Sequence, residues 1–257
     1  MTIKGGQLKE KEDFQKLILD YLENENGYVR RDSKAFNAGL AMDTEMLFEF
    51  LNKTQSDEIE VLRKLYGEQT EETIINYLNN EINKDYRSLI DVLKNGIEFD
   101  TGVKLNLMYR KPATSFNKEA MLNYSKNIFS VMEEVYHKKD ERIDLVIFLN
   151  GLAIVTFELK CNTSGQNYED AIRQYKFERD FKTRLFKFKS GAIVNFAMDL
   201  FEVYMTTQLK GSSTFFYHLI KAPDMALNQG RGILIMKMVL MFHICGKISC
   251  RKKHCFI

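Results

Sequence analysis

Residues 141–160, ERIDLVIFLNGLAIVTFELK, constrain this chain more than any other stretch. IDLVIFL is a nearly continuous apolar run with one aspartate inside it, and such short runs read as buried strands. Asn150-Gly151 follows, a pair that suits a two-residue hairpin turn because both positions tolerate positive φ. LAIVTFELK then returns as a second apolar strand. A hairpin turning there pairs residues whose numbers sum to about 301. Asp144 falls nearly opposite Thr156–Glu158, allowing for a bulge of one or two residues. Strand alternation puts Glu158 and Lys160 on one face. Two carboxylates and an ammonium therefore converge at a strand end.

Around this hairpin the pattern is mixed. Residues 8–23, 38–54 and 57–66, and EETIINYLNNEIN after them, have the three- and four-residue apolar spacing of helices, so the first ~95 residues are expected to be mostly helical. After Gly96 the texture changes. FDTGVKLNLMYRK alternates as a half-buried strand through Val103, Leu105, Leu107 and Tyr109. NIFSVMEEVYH offers a strand or a short helix, NYEDAIRQYKFERD has helical spacing, and GAIVNFAMD and FEVYMTT read as two more strands. This order predicts an α/β domain with a mixed sheet. The expected division is a helical part at 1–95, a core at 96–232 and an aberrant tail at 233–257.

With 37 Lys+Arg against 35 Asp+Glu, 45% apolar residues and 28% charged, the 257-residue chain is neither a disordered acid nor a polycation. A nucleic-acid partner needs only local charge, so near-neutrality does not exclude one. No secretory signal and no run of 18 apolar residues is present, and the four cysteines are expected to be reduced thiols in the cytoplasm.

Asp144 is the first residue out of place, because a carboxylate inside a buried strand is costly unless it is paired, hydrogen-bonded or on a metal. Asp144 and Glu158 are hard oxygen donors of the kind Mg²⁺ takes, alongside water and phosphate oxygens. A metal there would polarise a phosphodiester and acidify bound water, with Lys160 holding that water or offsetting phosphate charge. The plainer alternative is a surface salt bridge on an exposed hairpin face.

The whole 141–160 block resembles the PD-(D/E)xK nuclease core, and specifically the N-terminal nuclease region of type I restriction endonuclease R subunits. The resemblance continues through NYEDAIRQYKFERD and GAIVNFAMDLFEVYMTTQLKGSSTFF, and upstream through FEFLNKTQ and NIFSVMEEVYH, covering most of residues 8–232. It implies a restriction-endonuclease-like mixed sheet flanked by helices and preceded by a helical segment. It also implies Mg²⁺ on Asp144 and Glu158, Lys160 as the catalytic lysine, and hydrolysis of double-stranded DNA. Methyltransferase and specificity subunits are the partners implied, the latter choosing the sequence. Many relatives carry Q-x-x-x-Y on the helix after the E-x-K strand, with the Gln near the metal. Here Ala171 stands four residues before Tyr175 and Gln174 adjoins it, so Gln174 and Tyr175 match in part; Gln166 is another candidate. For Tyr175 core packing is an equal alternative. Related nucleases often complete the site with a glutamate from an N-terminal helix, a place Glu12 could fill.

Arg173, Lys176, Arg179, Lys182, Arg184, Lys187 and Lys189 follow within 17 residues, with Tyr175 and Phe181 among them. Taken alone they suit a solvated helix face or a phosphate-tracking one; beside a nuclease core, Arg173, Lys176, Arg179 and Lys182 are expected to contact DNA. No G-x-x-x-x-G-K-[ST] loop is present, so ATP is expected to act only through the motor of a full-length enzyme.

After Gly232 the texture breaks, with three of the four cysteines in the last 13 residues. A basic apolar membrane-surface tail and a Cys/His metal site are two readings of it, but Cys245, Cys250, His254 and Cys255 match no standard zinc spacing. Codons also exist for the tail whose shifted frame reads NPNNEDGFNVPYMWENILQKEALF, similar to the family's continuation toward its motor. A truncating frameshift is the expectation, testable in genomic DNA. Two alternatives to a working nuclease follow: a catalytically silent DNA-binding or assembly module, and an inert product of a frameshifted gene.

Overall fold

The computed structural model describes residues 11–114, 116–162 and 165–221; the tail at 233–257 lies outside them. In chain order the elements are α1 (Lys11–Asn26), β1 (Val29–Arg31), β2 (Phe36–Asn37), β3 (Met42–Asp43), α2 (Thr44–Thr54), α3 (Ser56–Tyr66), α4 (Thr70–Asn83), α5 (Leu89–Asn95), β4 (Ile97–Glu98), β5 (Lys104–Leu105), α6 (Lys118–Ser125), β6 (Phe129–Lys138), β7 (Glu141–Leu149), β8 (Leu152–Leu159), α7 (Tyr168–Arg173), β9 (Val194–Met198), β10 (Glu202–Thr206) and β11 (Tyr217–Lys221).

The hairpin β7–β8 forms the middle of a mixed sheet ordered β1-β6-β7-β8-β9-β10-β11, with β3 also pairing β8 and β2 pairing β3. Asn150 and Gly151 take φ of 49° and 81°, the left-handed pair that a tight hairpin demands. Gly151 has no substitute: a Cβ there would lie 2.3 Å from the Asp43 carbonyl oxygen and 2.6 Å from the Leu47 nitrogen. The buried Asn150 side chain accepts from the Ile128 N–H at 2.7 Å and donates to the Leu107 carbonyl at 2.8 Å and to Asn127 Oδ1 at 3.0 Å. The turn is thereby fastened to the chain entering β6. β8 runs through α7 into β9 as a parallel crossover, and the other long neighbours are antiparallel.

Alternation divides the sheet into two faces. One carries Leu145, Ile147 and Leu149 from β7 with Phe157 and Leu159 from β8, in a cluster with Phe14, Ile18 and Leu22 of α1 and Leu47, Phe50 and Leu51 of α2. The other carries Val146 and Phe148 with Ala153 and Ala197, packed under Ala171 and Tyr175.

The mixed α/β architecture agrees with the expected fold class, and one local expectation is corrected. The described part of the first 95 residues is mostly helical, as expected, with short strands added: β1 pairs in parallel with β6, and Met42 of β3 pairs with Leu152. Strands this short carry no period of their own and form only because the sheet offers an edge. The segment around Val103–Tyr109 makes only the two-residue strand β5, whose Leu105 pairs with Ile97. Its backbone is held partly by a side chain instead: Gln55 donates to the Asn106 carbonyl at 2.8 Å and accepts from the Asn106 N–H at 2.6 Å. No helix among the described residues is long and apolar enough to cross a membrane.

Candidate active site

The observed register is Leu145 opposite Phe157, Val146 opposite Thr156 and Ile147 opposite Val155, slipping by one before Phe148 meets Ala153. One further step along it brings Asp144 level with Glu158, through the single-residue bulge that the spacing allowed for. The other neighbour of β7 is distorted at the same level. Glu134 takes φ of 52° between the rungs Glu133–Leu145 and Val135–Ile143, across from Asp144. A non-glycine residue in that region costs energy and persists only where its surroundings hold it. The distortion lets Ile143 and Val135 join the Tyr175 side of the sheet with Val146.

Asp144, Glu158 and Lys160 are 3%, 0% and 4% exposed, so the three groups form no solvated surface cluster. Asp144 Oδ2 accepts from the Leu159 N–H at 2.7 Å, which ties it to β8. The Lys160 N–H donates to the Met198 carbonyl at 3.0 Å, holding the end of β8 against β9. Glu158 Oε1 accepts from Arg179 Nε at 2.7 Å, while Glu158 Oε2 is buried with no hydrogen-bond partner. Burial pushes the Glu158 pKa up to about 8, the charge of Asp144 adds to this, and Arg179 and Lys160 pull against it. Burial opposes the Arg179 charge too, but Glu158 outweighs it and holds the guanidinium above its ordinary value.

α7 lies over this face. Its start is fixed by a capping box in which Asn167 and Asp170 exchange side-chain and backbone bonds. Asp199, at the end of β9, accepts from the Tyr168 N–H and from Asn162 Nδ2, both at 3.1 Å, and from the Phe201 and Glu202 N–H groups. From Gln174 to Glu178 the helix widens into a π-helical turn, a form often found at functional sites. Tyr175 is fully buried there, with its hydroxyl 2.8 Å from Thr156 Oγ1, which donates to Asn195 Oδ1 at 2.7 Å. Burial, then the charge of Glu158, raises the Tyr175 pKa well above its ordinary value. Gln174 Oε1 is buried without a hydrogen-bond partner.

The residues singled out in the sequence are therefore only partly gathered together. Asp144 and Glu158 meet across β7–β8, Lys160 ends the same strand, and Tyr175 sits above them in the core. Glu12 is exposed on α1, whose buried side packs on the opposite face, and Gln166 is exposed ahead of α7. Arg173 and Lys182 are exposed and Lys176 half-buried, and Arg173 pairs with Glu178 at 3.3 Å. Arg179 departs from that group: its side chain turns inward onto Glu158 and is only 10% exposed. Arg184 also turns inward and donates to the Ser190 carbonyl. The sequence reading expected Arg179 on the DNA and missed its pairing with Glu158, because a cation 21 positions from its partner leaves no local signal. Thr156, Asn195 and Asp199 were missed as well, although their polar side chains in apolar strands were the available clue.

The geometry and the fold define a restriction-endonuclease-like α/β protein with an acidic pair and a lysine at adjoining strand ends. The family described as type I restriction enzyme R protein N terminus matches residues 7–214, and the chain belongs to it. No curated protein matches the chain.

Proposed function

We propose that this chain hydrolyses DNA phosphodiester bonds with Mg²⁺ held by Asp144 and Glu158. The observation that carries this is the buried pair itself, with Glu158 Oε2 unpartnered and the Glu158 pKa lifted to about 8. A buried pair of carboxylates with one oxygen, Glu158 Oε2, left without a hydrogen bond fits a divalent cation. Among the described residues no group of three or more His, Cys, Asp or Glu is assembled for a metal. Mg²⁺ needs fewer, taking one or two carboxylates and completing its shell with water and phosphate oxygens. When bound it would polarise the phosphodiester and lower the pKa of a coordinated water.

The chain's own groups do the rest. The Leu159 N–H orients the Asp144 carboxylate, and the Asn195–Thr156–Tyr175 hydrogen-bond chain secures the π-helical turn beside Glu158. Lys160 offers an ammonium to the attacking water or to a non-bridging phosphate oxygen. Arg173, Lys176 and Lys182 meet the DNA backbone, while Arg179 orients Glu158. The substrate is double-stranded DNA, the setting is the cytoplasm, and methyltransferase and specificity subunits supply the sequence choice. ATP belongs to a translocase motor acting with this domain, not to the nuclease step.

A catalytically silent DNA-binding or assembly module is the second reading, and the Arg179–Glu158 pair favours it, because a guanidinium already neutralises one carboxylate. Calorimetry of Mg²⁺ binding to the wild type, Asp144→Ala and Lys160→Ala, with plasmid nicking on the same samples, separates the two. A nuclease loses metal binding with Asp144→Ala, keeps most of it with Lys160→Ala, and loses nicking in both. Absence of Mg²⁺ binding by the wild type, even with DNA present, would overturn the assignment.

A further inference from the structure

Beyond the acidic pair, the segment after the π-helical turn meets the β10–β11 connection in a pocket of about 440 Å³. Phe181, Phe188 and Leu209 form its apolar part, and Lys182, Lys187 and Lys210 surround them. Leu209 is buried as the floor and shares a cluster with Phe181, while Phe188 is 49% exposed. No carboxylate lines the pocket, and none of the three ammonium groups belongs to an ion pair among the described residues. Among the described residues, Lys187 Nζ donates to the neutral Asn83 Oδ1, at 2.9 Å.

The wall is built rather than incidental. The Lys210 N–H donates to Thr214 Oγ1 at 2.8 Å, and that hydroxyl donates to the Gly211 carbonyl at 2.7 Å. Gly211 takes φ of 59°, and a Cβ there would sit 3.3 Å from Phe181 Cε1, so glycine lets this loop close onto the ring. Phe181 is two residues from Arg179, which puts the pocket within about 7 Å of chain from the residue that holds Glu158.

We propose that this groove binds an unpaired stretch of DNA strand, with a base stacked on Phe188 and backbone phosphates on Lys182, Lys187 and Lys210. Three ammonium groups outside any ion pair among the described residues match the phosphate charge, although Asp180 lies near Lys182. Paired bases are stacked on one another and offer no free face, whereas an unpaired base gains about a tenfold affinity from one aromatic platform. The proposal rests on the nuclease reading only for its biological purpose, which is to hold a separated strand beside the acidic pair.

The test uses the full 257-residue chain in EDTA and follows the anisotropy of labelled oligothymidylate and of a duplex of equal length. Oligothymidylate is expected to bind more tightly than the duplex. Phe188→Ala should weaken it about tenfold and leave duplex binding unchanged, and Lys210→Ala should flatten its log–log salt dependence by about 0.7. Lys64→Ala, on the exposed side of α3, should change neither, and circular dichroism verifies the fold of each variant. Equal affinity for both DNAs, no effect of Phe188→Ala, or equal displacement by polyglutamate would overturn the groove. Asp144→Ala should bind oligothymidylate normally. If the wild type binds the strand this way yet never takes up Mg²⁺, the groove stands and the nuclease reading falls. If nicking depends on Asp144 while Phe188→Ala binds unchanged, the reverse holds.

Discussion

The two faces of the β7–β8 hairpin are built from alternating residues of the same strands, yet they behave as different materials. Toward α1 and α2 the strands present Leu145, Ile147, Phe157 and Leu159, a dry surface that interlocks with Phe14, Ile18 and Phe50. Toward α7, strand neighbours of those residues present Asp144, Thr156 and Glu158 under a π-helical turn. Burial stabilises the first face in proportion to the apolar area removed from water. On the second face burial works against the fold, because it raises the cost of each charge and leaves Glu158 half-satisfied. The apolar face carries stability, and the polar face holds the buried carboxylates on which the proposed function rests.

Substitutions one residue apart test this division. Asp144→Asn should lower Mg²⁺-dependent plasmid nicking by at least about 10²-fold, the scale of losing one preorganised electrostatic group, with little loss in denaturant midpoint. A variant that unfolds but nicks normally when folded would erase the distinction. Phe157→Ala, next to Glu158 in sequence but stacked on Phe196 at 5.1 Å between ring centres, should cost about 3–5 kcal/mol in equilibrium unfolding. Its metal binding should persist below the unfolding transition.

A third prediction concerns pH. Burial lowers the His137 pKa to about 4 from 6.5, overriding the nearby Glu141 carboxylate, and its Nδ1 lies 3.1 Å from Thr183 Oγ1. The unfolded chain therefore takes up a proton that the native state refuses. His137's contribution is fully present above pH 6.5 and is lost as pH falls toward 4, by up to about 3 kcal/mol. Glu158 has the opposite sign: its raised pKa makes metal-free stability fall as pH rises from 4.5 toward 8. Comparing the unfolding free energy of wild type and His137→Gln between pH 5 and 7 isolates the first effect, and an unchanged difference would refute it. The smallest effect belongs to the surface. Arg63→Ala breaks an exposed pair with Glu60 at 2.9 Å and should shift unfolding by less than about 0.5 kcal/mol. A larger loss would mean that exposed charge supports this fold more than the buried faces suggest.

Much of this was legible without coordinates wherever a property is local. α2 carries its own cap, since the Asp43 side chain accepts from the Met46 N–H; α3 and α4 fall where the spacing predicts, while α2 begins at Thr44, after β3, rather than at 38. Val103–Tyr109 misled because alternation alone does not make a strand; a strand needs a partner edge, and a Gln55 side chain took that role for Asn106. In the basic run after α7, exposed and inward-turned side chains look alike in sequence. Arg173 and Arg179 differ only in what lies beneath them.

By itself the sequence determined the hairpin, its turn at Asn150-Gly151 and the meeting of Asp144 with Glu158. Turn geometry and two-residue alternation act over a few positions, so they are written where they operate. Tertiary structure alone decided that Glu134 distorts the ladder across from Asp144, that Arg179 reaches back to Glu158, and that Phe188 and Lys210 share one groove. Those outcomes join residues far apart in the chain, and only the packing of α7 and the β10–β11 connection on the finished sheet brings them within reach.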